Sequence, residues 1–338
     1  MLWPVNIYYF YRGINRNRFR DWVVLGLLIG LNILNKYSCV YLFFGMFSYL
    51  LISQNGRGEF LKKNIYICGA IAFIIILPHL WCLYKTDFFP VFYLSSRSLV
   101  HPKSQIMGHI VYPIRFVVSQ IPAIFGTLLI YFVAYRYTKK EKREIKKEEL
   151  LFLVSVGILP FIFFLMTSVI SGTKLRSMWG SSLFSMTSIF LIYLFPFKLD
   201  EKIYRKIKMA VYGVMAIMAI SGIFTAVCSR SEKYYFPRKQ FIEDMTKFWR
   251  DETSGMPLKY VKGEVWYVSQ MSVYHEEKPK LILNIDKYYR NLLNDEELSE
   301  NGIMLLGHSL SQIDRYKKDL SVNFPVRKYS FEIKNLLG

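Results

Sequence analysis

Between residues 22 and 227 the chain is a succession of apolar segments, and the loops that join them carry lysine and arginine mainly on alternate sides. Several of these segments are long enough, as helices, to cross the roughly 30 Å hydrocarbon core of a bilayer. A helix satisfies its own backbone hydrogen bonds, which lipid cannot do. The pattern therefore predicts a mainly α protein, a polytopic transmembrane helical bundle that uses the lipid bilayer as its solvent.

The composition agrees with lipid as the solvent for much of the surface. Of the 338 residues 53% are hydrophobic and 17% are aromatic, and the formal net charge is +19. In a soluble protein that charge would suggest nucleic acid, but here most of it lies in loops beside apolar spans, where it sets orientation and attracts anionic lipid. We expect no nucleic-acid partner. The four cysteines fall in apolar segments at no metal-ligand spacing and are interpreted as packing residues.

The pattern predicts seven spans. They are Trp22–Leu34, Tyr37–Ile52, Asn64–Tyr84, Ile110–Tyr135, Leu150–Ile170, Ser181–Phe197 and Ile207–Val227. The first two are short and have Asn32, Asn35 and Lys36 between them, which predicts a tight helical hairpin with a polar tip near one membrane face.

Orientation follows from the loop charges. Loops 12–20, 53–63, 136–149 and 198–208 together hold 19 Lys and Arg, whereas the loops on the other side hold 6. The positive-inside tendency places the first set in the cytoplasm and predicts a multi-pass membrane protein. The last span then runs outward, so the residues after it are predicted to be extracytoplasmic.

Both ends of the chain carry a further expectation. Met1–Tyr11 is apolar and is followed by arginines, the reverse of a secretory signal, so it is predicted to be the last half of a span in a longer protein. Residues 1–228 are predicted to form the transmembrane helical domain and 229–338 a small α/β domain. In the second domain, helices are predicted at Arg238–Glu252 and Leu310–Leu320. Period-two strands are predicted at Leu258–Val268, Lys280–Ile285, Ile303–Leu306 and Arg327–Ile333.

Signatures of soluble enzymes are absent from the sequence. There is no P-loop and no His-Glu-x-x-His motif. His275-Glu276-Glu277, and His308-Ser309 with Asp314, are interpreted as surface residues because nothing in the sequence fixes their mutual geometry.

The candidate functional residues are cations at the outer ends of spans. Lys36 is at the hairpin tip, Lys85 follows Trp81, and Lys174 and Arg176 precede Trp179. Each cation by itself reads as an ordinary membrane anchor, but the group together suits a phosphate-linked lipid that arrives from the bilayer, because arginine and lysine both bind phosphate oxygens. The loop 85–109 mixes aromatic residues with Asp87, Arg97, His101 and Lys103. It is interpreted either as an amphipathic flap over that site or as a plain surface loop.

Four segments in this order resemble bacterial members of glycosyltransferase family 39. They are GLLIGLNILNKYSCVYLFFGMFSYLL, LPHLWCLYKTDFFPVFY, GTKLRSMWGSSLF and PLKYVKGEVWYVSQMSVYHEEKPKLIL. This family contains dolichyl-phosphate-mannose protein mannosyltransferase-like proteins and relatives of the lipid A aminoarabinose transferases. The resemblance implies the GT-C architecture and transfer of a sugar from a polyprenyl-phosphate carrier to a lipid, glycan or protein acceptor.

The resemblance also implies roles for particular residues. Lys36 and Tyr37 match the family's Lys-Tyr at the hairpin tip, and Lys174, Arg176 and Trp179 match its basic-then-Trp segment. The family's acidic motif, which would supply a general base or bind a divalent metal, has no counterpart in this chain. The residues identify no cofactor, and the chain is expected to be a fragment that is inactive alone.

Two other functions remain open from the sequence. A transporter or flippase of lipid-linked glycans would need the same phosphate-binding cations without a catalytic carboxylate. A membrane scaffold would use its outer domain to bind a partner protein, and its cations would then be unimportant to activity.

Overall fold

The computed structural model describes residues 2–88, 90–91, 106–138, 144–198, 200–228, 236–282 and 295–318. The chain divides into two compact units, Met1–Ile220 and Ser221–Gly338. Residues 89 and 92–105 of the loop 85–109, which was interpreted as a flap or a plain surface loop, lie outside the described residues, and so does the predicted strand Arg327–Ile333.

The first unit is built from helices. In chain order they are α1 (Trp3–Arg16), α2 (Phe19–Asn35), α3 (Val40–Ile52), α4 (Gln54–Glu59), α5 (Lys63–Lys85), α6 (Tyr112–Tyr137), α7 (Lys147–Gly157), α8 (Leu159–Ser171), α9 (Thr187–Leu194) and α10 (Glu201–Cys228), which continues into the second unit. A 3-10 turn, Tyr37–Cys39, joins α2 to α3, a π-helical turn, Met107–Val111, leads into α6, and a second 3-10 segment, Ser177–Ser182, precedes α9.

Among the described residues, four helical stretches are long and apolar enough to cross a membrane: Lys63–Lys85, Met107–Tyr137, Lys147–Ser171 and Glu201–Thr225. Aromatic and aliphatic side chains from α1, α2, α3, α7 and α8 form one buried core. A mainly helical polytopic membrane fold is thus confirmed.

Small residues allow α2 and α5 to pack closely and in parallel. A side chain at Gly26 would meet the Cys68 carbonyl, and one at Gly30 would meet Ile75. The contact residue on α5 lies further along the chain for Gly30 than for Gly26, so α2 and α5 run parallel, toward the same end of the unit. This arrangement brings the C-terminal end of α5 level with the hairpin tip.

The span predicted at Ser181–Phe197 is only partly helical. The α-helix covers Thr187–Leu194, while Ser177–Ser182 forms 3-10 turns. Serine side chains compete for backbone hydrogen bonds and so disfavour a regular helix at this point. The other predicted spans correspond to observed helices, although Lys147–Ser171 is interrupted at Ile158, just before Pro160.

The second unit has an α/β core. Its helices are α11 (Arg238–Glu252), α12 (Val265–Tyr274), α13 (Asp295–Asn301) and α14 (Leu310–Lys318), and its strands are β1 (Tyr260–Gly263), β2 (Lys280–Ile282) and β3 (Met304–Leu306). The strands form a parallel sheet in the order β2-β1-β3. Parallel neighbours need a crossover connection, and α12 supplies the one between β1 and β2.

The strand predicted at Leu258–Val268 is wrong beyond Gly263. Gly263 has φ +146° and lies so close to the Leu306 carbonyl that no side chain fits there. The chain leaves the sheet at this glycine and turns into α12, which buries Tyr267, Val268 and Met271. The alternation of apolar residues that favoured a strand is here one face of a short helix.

Candidate functional site: a cationic pocket at one end of the helical unit

Polar contacts between helices mark the two ends of the first unit. At one end the Tyr37 hydroxyl lies 2.7 Å from His79 Nε2, and His109 Nδ1 lies 2.7 Å from the Val169 carbonyl oxygen. At the other end Ser53 donates to Glu148, and the Lys146 amide donates to the Tyr193 hydroxyl. We call the first the pocket end, after the pocket described below, and the second the basic-loop end. The second contains loops 12–20 and 53–63 and the described parts of the other two basic loops, 136–138, 144–149, 198 and 200–208. This alternation is the one predicted from the loop charges.

A short segment after α8 brings two of the predicted cations to the pocket end. Gly172 ends α8 in the left-handed conformation, with φ +67°. The Ser168 hydroxyl then donates to the Thr173 carbonyl, which draws the segment back toward the helix. Leu175 is buried in the helical core, so its extended neighbours Lys174 and Arg176 face outward together.

The opposite wall comes from the first turns of α6. Arg115 and Ser119 are one helical turn apart and exposed, while Phe116 and Gln120 are buried. The Gln120 side-chain amide donates to the Ser177 carbonyl, at 3.2 Å, and so ties the segment after α8 to α6. Gly180 is required beside it, because any side chain there would overlap the Gln120 amide.

These two elements enclose a pocket of about 500 Å³. Its lining consists of Tyr112, Arg115, Phe116, Ser119, Lys174, Leu175, Arg176, Ser177 and Met178. Three cations thus share one concavity with the hydroxyl-bearing residues Tyr112, Ser119 and Ser177 and with an apolar wall. Within the described parts of the chain, none of the three has a carboxylate within ion-pair distance, whereas the ion pairs of the helical unit lie at the basic-loop end.

The arrangement is suited to an amphiphilic anion. Like charges held in one pocket repel each other, and a bound phosphate would offset that repulsion while accepting charge-assisted hydrogen bonds. Met178 and Leu175 offer apolar contact to the group that carries the phosphate.

Arg115 was missed by the sequence analysis, which counted cations only in loops. Arg115 is one turn inside the predicted span Ile110–Tyr135. An ionisable residue within an apolar span is itself a sign of function, and this signal was available in the sequence.

Lys36 and Tyr37 lie at the same end of the unit but not in the pocket lining. Lys36 ends α2, and its amide donates to the Asn32 carbonyl. Tyr37 contacts His79 of α5, and Tyr41, one turn on, lies 3.5 Å from the Thr167 hydroxyl of α8. Lys36 was predicted to converge with Lys174 and Arg176. The structure places all three residues at the same end of the unit, but Lys36 does not line the pocket that contains the other two.

Lys85 and Trp179 have structural contacts of their own. The Lys85 ammonium lies 5.0 Å from the centre of the Trp81 ring, and both side chains are exposed, as for an anchor at a membrane surface. Trp179 packs against the helical core, and its amide donates to the Arg176 carbonyl at 2.9 Å. Trp179 thus supports the backbone of Arg176, whereas Lys85 and Trp179 are themselves not among the residues that line the pocket.

One of the buried titratable groups of the second unit is His275. His275 is 3% exposed, contrary to its interpretation as a surface residue. Its Nδ1 accepts from the Glu277 amide, and Glu277 in turn accepts from the Leu258 amide and pairs with Arg250. Burial lowers the pKa of His275 below its ordinary value. The group is a packed core histidine beside an ion pair.

Metal ligands are not gathered anywhere in the described ranges, where no three His, Cys, Asp or Glu residues come together. His308 Nδ1 forms a 3.0 Å hydrogen bond with the Tyr267 hydroxyl, and the two rings pack edge to face.

The fold is that of a polytopic helical membrane protein, and its described pocket gathers three cations beside apolar side chains. Residues 1–82 match the family described as Dolichyl-phosphate-mannose-protein mannosyltransferase, which confirms the resemblance seen in the sequence. This similarity supports a membrane glycosyltransferase of the mannosyltransferase type. Searches of curated proteins and of solved structures return no significant match.

Proposed function

We propose that this chain takes part in moving a sugar from a polyprenyl-phosphate carrier to an acceptor, and that Arg115, Lys174 and Arg176 bind the carrier phosphate. The observation that carries the proposal is the gathering of three cations, without an acidic partner among the described residues, in one pocket with an apolar wall. The family match over residues 1–82 supports the reaction class.

The same cations have a chemical task in such a reaction. When the sugar leaves its carrier, the bond between the anomeric carbon and the phosphate oxygen breaks, and negative charge builds up on that oxygen. Cations held in place before the reaction stabilise this charge at little reorganisation cost.

The acceptor side of the reaction is open. Of the acidic residues described in the helical unit, Asp87 lies just past α5 at the pocket end, and the others lie near the basic loops. We retain the prediction that the family's acidic loop is absent from this chain, and we assign no general base. The acceptor is a lipid, a glycan or a protein, and the pocket end is proposed to face the extracytoplasmic side, as the loop charges predict.

The experiment combines binding with sugar transfer. The purified full chain is titrated with polyprenyl phosphate and with the corresponding polyprenol, and membranes that contain the chain are assayed for sugar release from a labelled polyprenyl-phosphate donor. We expect the phosphate to be required for tight binding, and we expect Lys174→Ala with Arg176→Ala to weaken both binding and any transfer. Equal binding of polyprenol, or undiminished binding and transfer by the double variant, would reject the proposal.

A transporter of lipid-linked glycans is the second candidate, favoured by the position of most described carboxylates away from the pocket. It predicts that the donor crosses the bilayer intact, with its sugar still attached. Reconstituted vesicles loaded with labelled donor distinguish the two functions, because transfer releases the sugar from its carrier and transport does not.

A further inference from the structure

A second charged surface lies at the basic-loop end, where α6 ends and α10 begins. The two helices pack antiparallel, since Gly126 lies beside Val214 and the Lys206 ammonium lies 3.5 Å from the centre of the Tyr137 ring. The Tyr131 hydroxyl donates to the Phe195 carbonyl, which fixes the approach to α10. This part of the helical unit is therefore a built junction between three elements.

The junction carries a strong excess of positive charge. Its cations are Arg136, Lys198, Lys202, Arg205, Lys206 and Lys208. Two carboxylates lie beside them, and both are in use: Asp200 accepts from the Ile203 amide at the start of α10, and Glu201 pairs with Arg205 at 3.5 Å. Exposed pairs of this kind neutralise little charge.

Apolar surface continues directly from the cations. Phe132, Tyr137, Met209 and Tyr212 are all more than half exposed, and none of the apolar window of α10 is buried. A ligand that covers this surface needs a negative headgroup and hydrocarbon chains side by side. An anionic phospholipid has both features.

The junction differs from the other positively charged parts of the basic-loop end. Two cations elsewhere at the basic-loop end are held by buried carboxylates, Arg12 by Asp21 and Lys62 by Glu59. At the junction the aromatic rings of Tyr137 and Tyr212 lie within 6 Å of Lys206 and Lys208 and position them at the edge of the lipid.

We propose that this surface, formed by Arg136, Lys198, Lys202, Arg205 and Lys208 with Tyr137 and Tyr212, is a binding site for the headgroup of an anionic phospholipid. The proposal is independent of the carrier-phosphate pocket, which lies at the other end of the unit. The lipid would hold the first turns of α10 against the end of α6 in the membrane.

The test measures the affinity of the full chain for phosphatidylglycerol by native mass spectrometry from mixed micelles, with phosphatidylcholine as the neutral reference. Replacement of Lys202, Arg205 and Lys208 by glutamine is expected to weaken phosphatidylglycerol binding by about tenfold or more, because it removes three positive charges that attract the anionic headgroup. The charge-conserving variant Lys202→Arg, Arg205→Lys, Lys208→Arg should keep the affinity.

A matched control tests whether phosphatidylglycerol binds at the junction or responds only to the total positive charge of this end of the unit. Arg57, Lys63 and Lys147 are exposed cations at the same end of the unit, away from the junction. Their replacement by glutamine removes the same charge and should change the affinity less than about twofold. An equal loss in both triple variants, or phosphatidylcholine binding as tight as phosphatidylglycerol binding in the natural chain, would overturn the proposal.

Discussion

The two ends of the helical unit treat positive charge in opposite ways. At the basic-loop end, cations outnumber those of the other end about threefold, and acidic partners accompany many of them, as Asp21 does Arg12 and Glu59 does Lys62. At the pocket end the cations are few, but Arg115, Lys174 and Arg176 share one concavity and have no ion-pair partner among the described residues. The large number of loop cations at one end indicates the orientation of the chain in the membrane. The three cations that share a pocket without an acidic partner among the described residues indicate a binding site for an anion.

The largest expected effect comes from emptying the pocket of charge. Arg115→Gln, Lys174→Gln and Arg176→Gln together should lower the affinity for polyprenyl phosphate roughly 100-fold or more, because each charge-assisted hydrogen bond contributes about 1.5–3 kcal/mol. Removal of Arg57, Lys63 and Lys147 provides the control with the same change in net charge. Equal losses in the two triple variants would break the contrast between the two ends.

A carboxylate at the basic-loop end should affect stability and leave binding alone. Glu148 accepts from Ser53 Oγ at 2.5 Å and from the Tyr49 hydroxyl at 3.3 Å. Glu148→Gln is expected to lower the free energy of unfolding by about 1–3 kcal/mol, while Glu201→Gln, in an exposed pair, should cost less than about 1 kcal/mol. Thermal unfolding in detergent measures both variants, and weakened phosphate binding by Glu148→Gln would contradict the account.

Gln120 allows the pocket to be loosened without removing a charge. Gln120→Leu leaves the Ser177 carbonyl without its donor and frees the segment that carries Lys174 and Arg176. A lost hydrogen bond of this kind costs about 1 kcal/mol, so polyprenyl phosphate affinity should fall roughly fivefold. Hydrogen exchange should rise in residues 172–182. Unchanged exchange there, with unchanged affinity, would show that Gln120 does not position the pocket.

The smallest effect concerns pH and the second unit. Because burial lowers the pKa of His275, the unfolded chain binds a proton near pH 6.5 that the folded unit still excludes. Stability of this unit is therefore constant above about pH 6.5 and decreases as the pH falls below it. Hydrogen exchange in residues 258–282, corrected for intrinsic rates, should rise on acidification, and His275→Gln should reduce that rise. If hydrogen exchange rises equally on acidification in the natural chain and in His275→Gln, the pH dependence belongs to another titratable group.

The sequence was sufficient wherever a single local rule decided the structure. Arg238–Glu252 is helical over the predicted residues because Phe241, Met245 and Trp249 repeat at helical spacing and bury one face. Lys174 and Arg176 were predicted together because both are cations that follow one apolar span and precede Trp179. These features depend on neighbours in the chain alone.

The sequence was insufficient where distant elements meet. Arg115 joins the pocket only because Gln120 ties α6 to the segment after α8, and no local pattern states that pairing. Lys36 and Lys85 are cations at the pocket end of the unit, but they do not line the pocket. The sequence predicted which cations lie at the pocket end of the unit, but it did not predict which of them come together in one pocket.

The most direct measurement locates the carrier phosphate on the chain. A polyprenyl phosphate with a photoreactive group beside the phosphate is crosslinked to the full chain in membranes, and the labelled peptides are identified by mass spectrometry. The account predicts labelling within residues 112–119 and 174–178, and competition by unmodified polyprenyl phosphate but not by polyprenol. Labelling confined to the basic loops or to residues 36–41 and 79–85, or labelling that polyprenol competes away equally well, would contradict it.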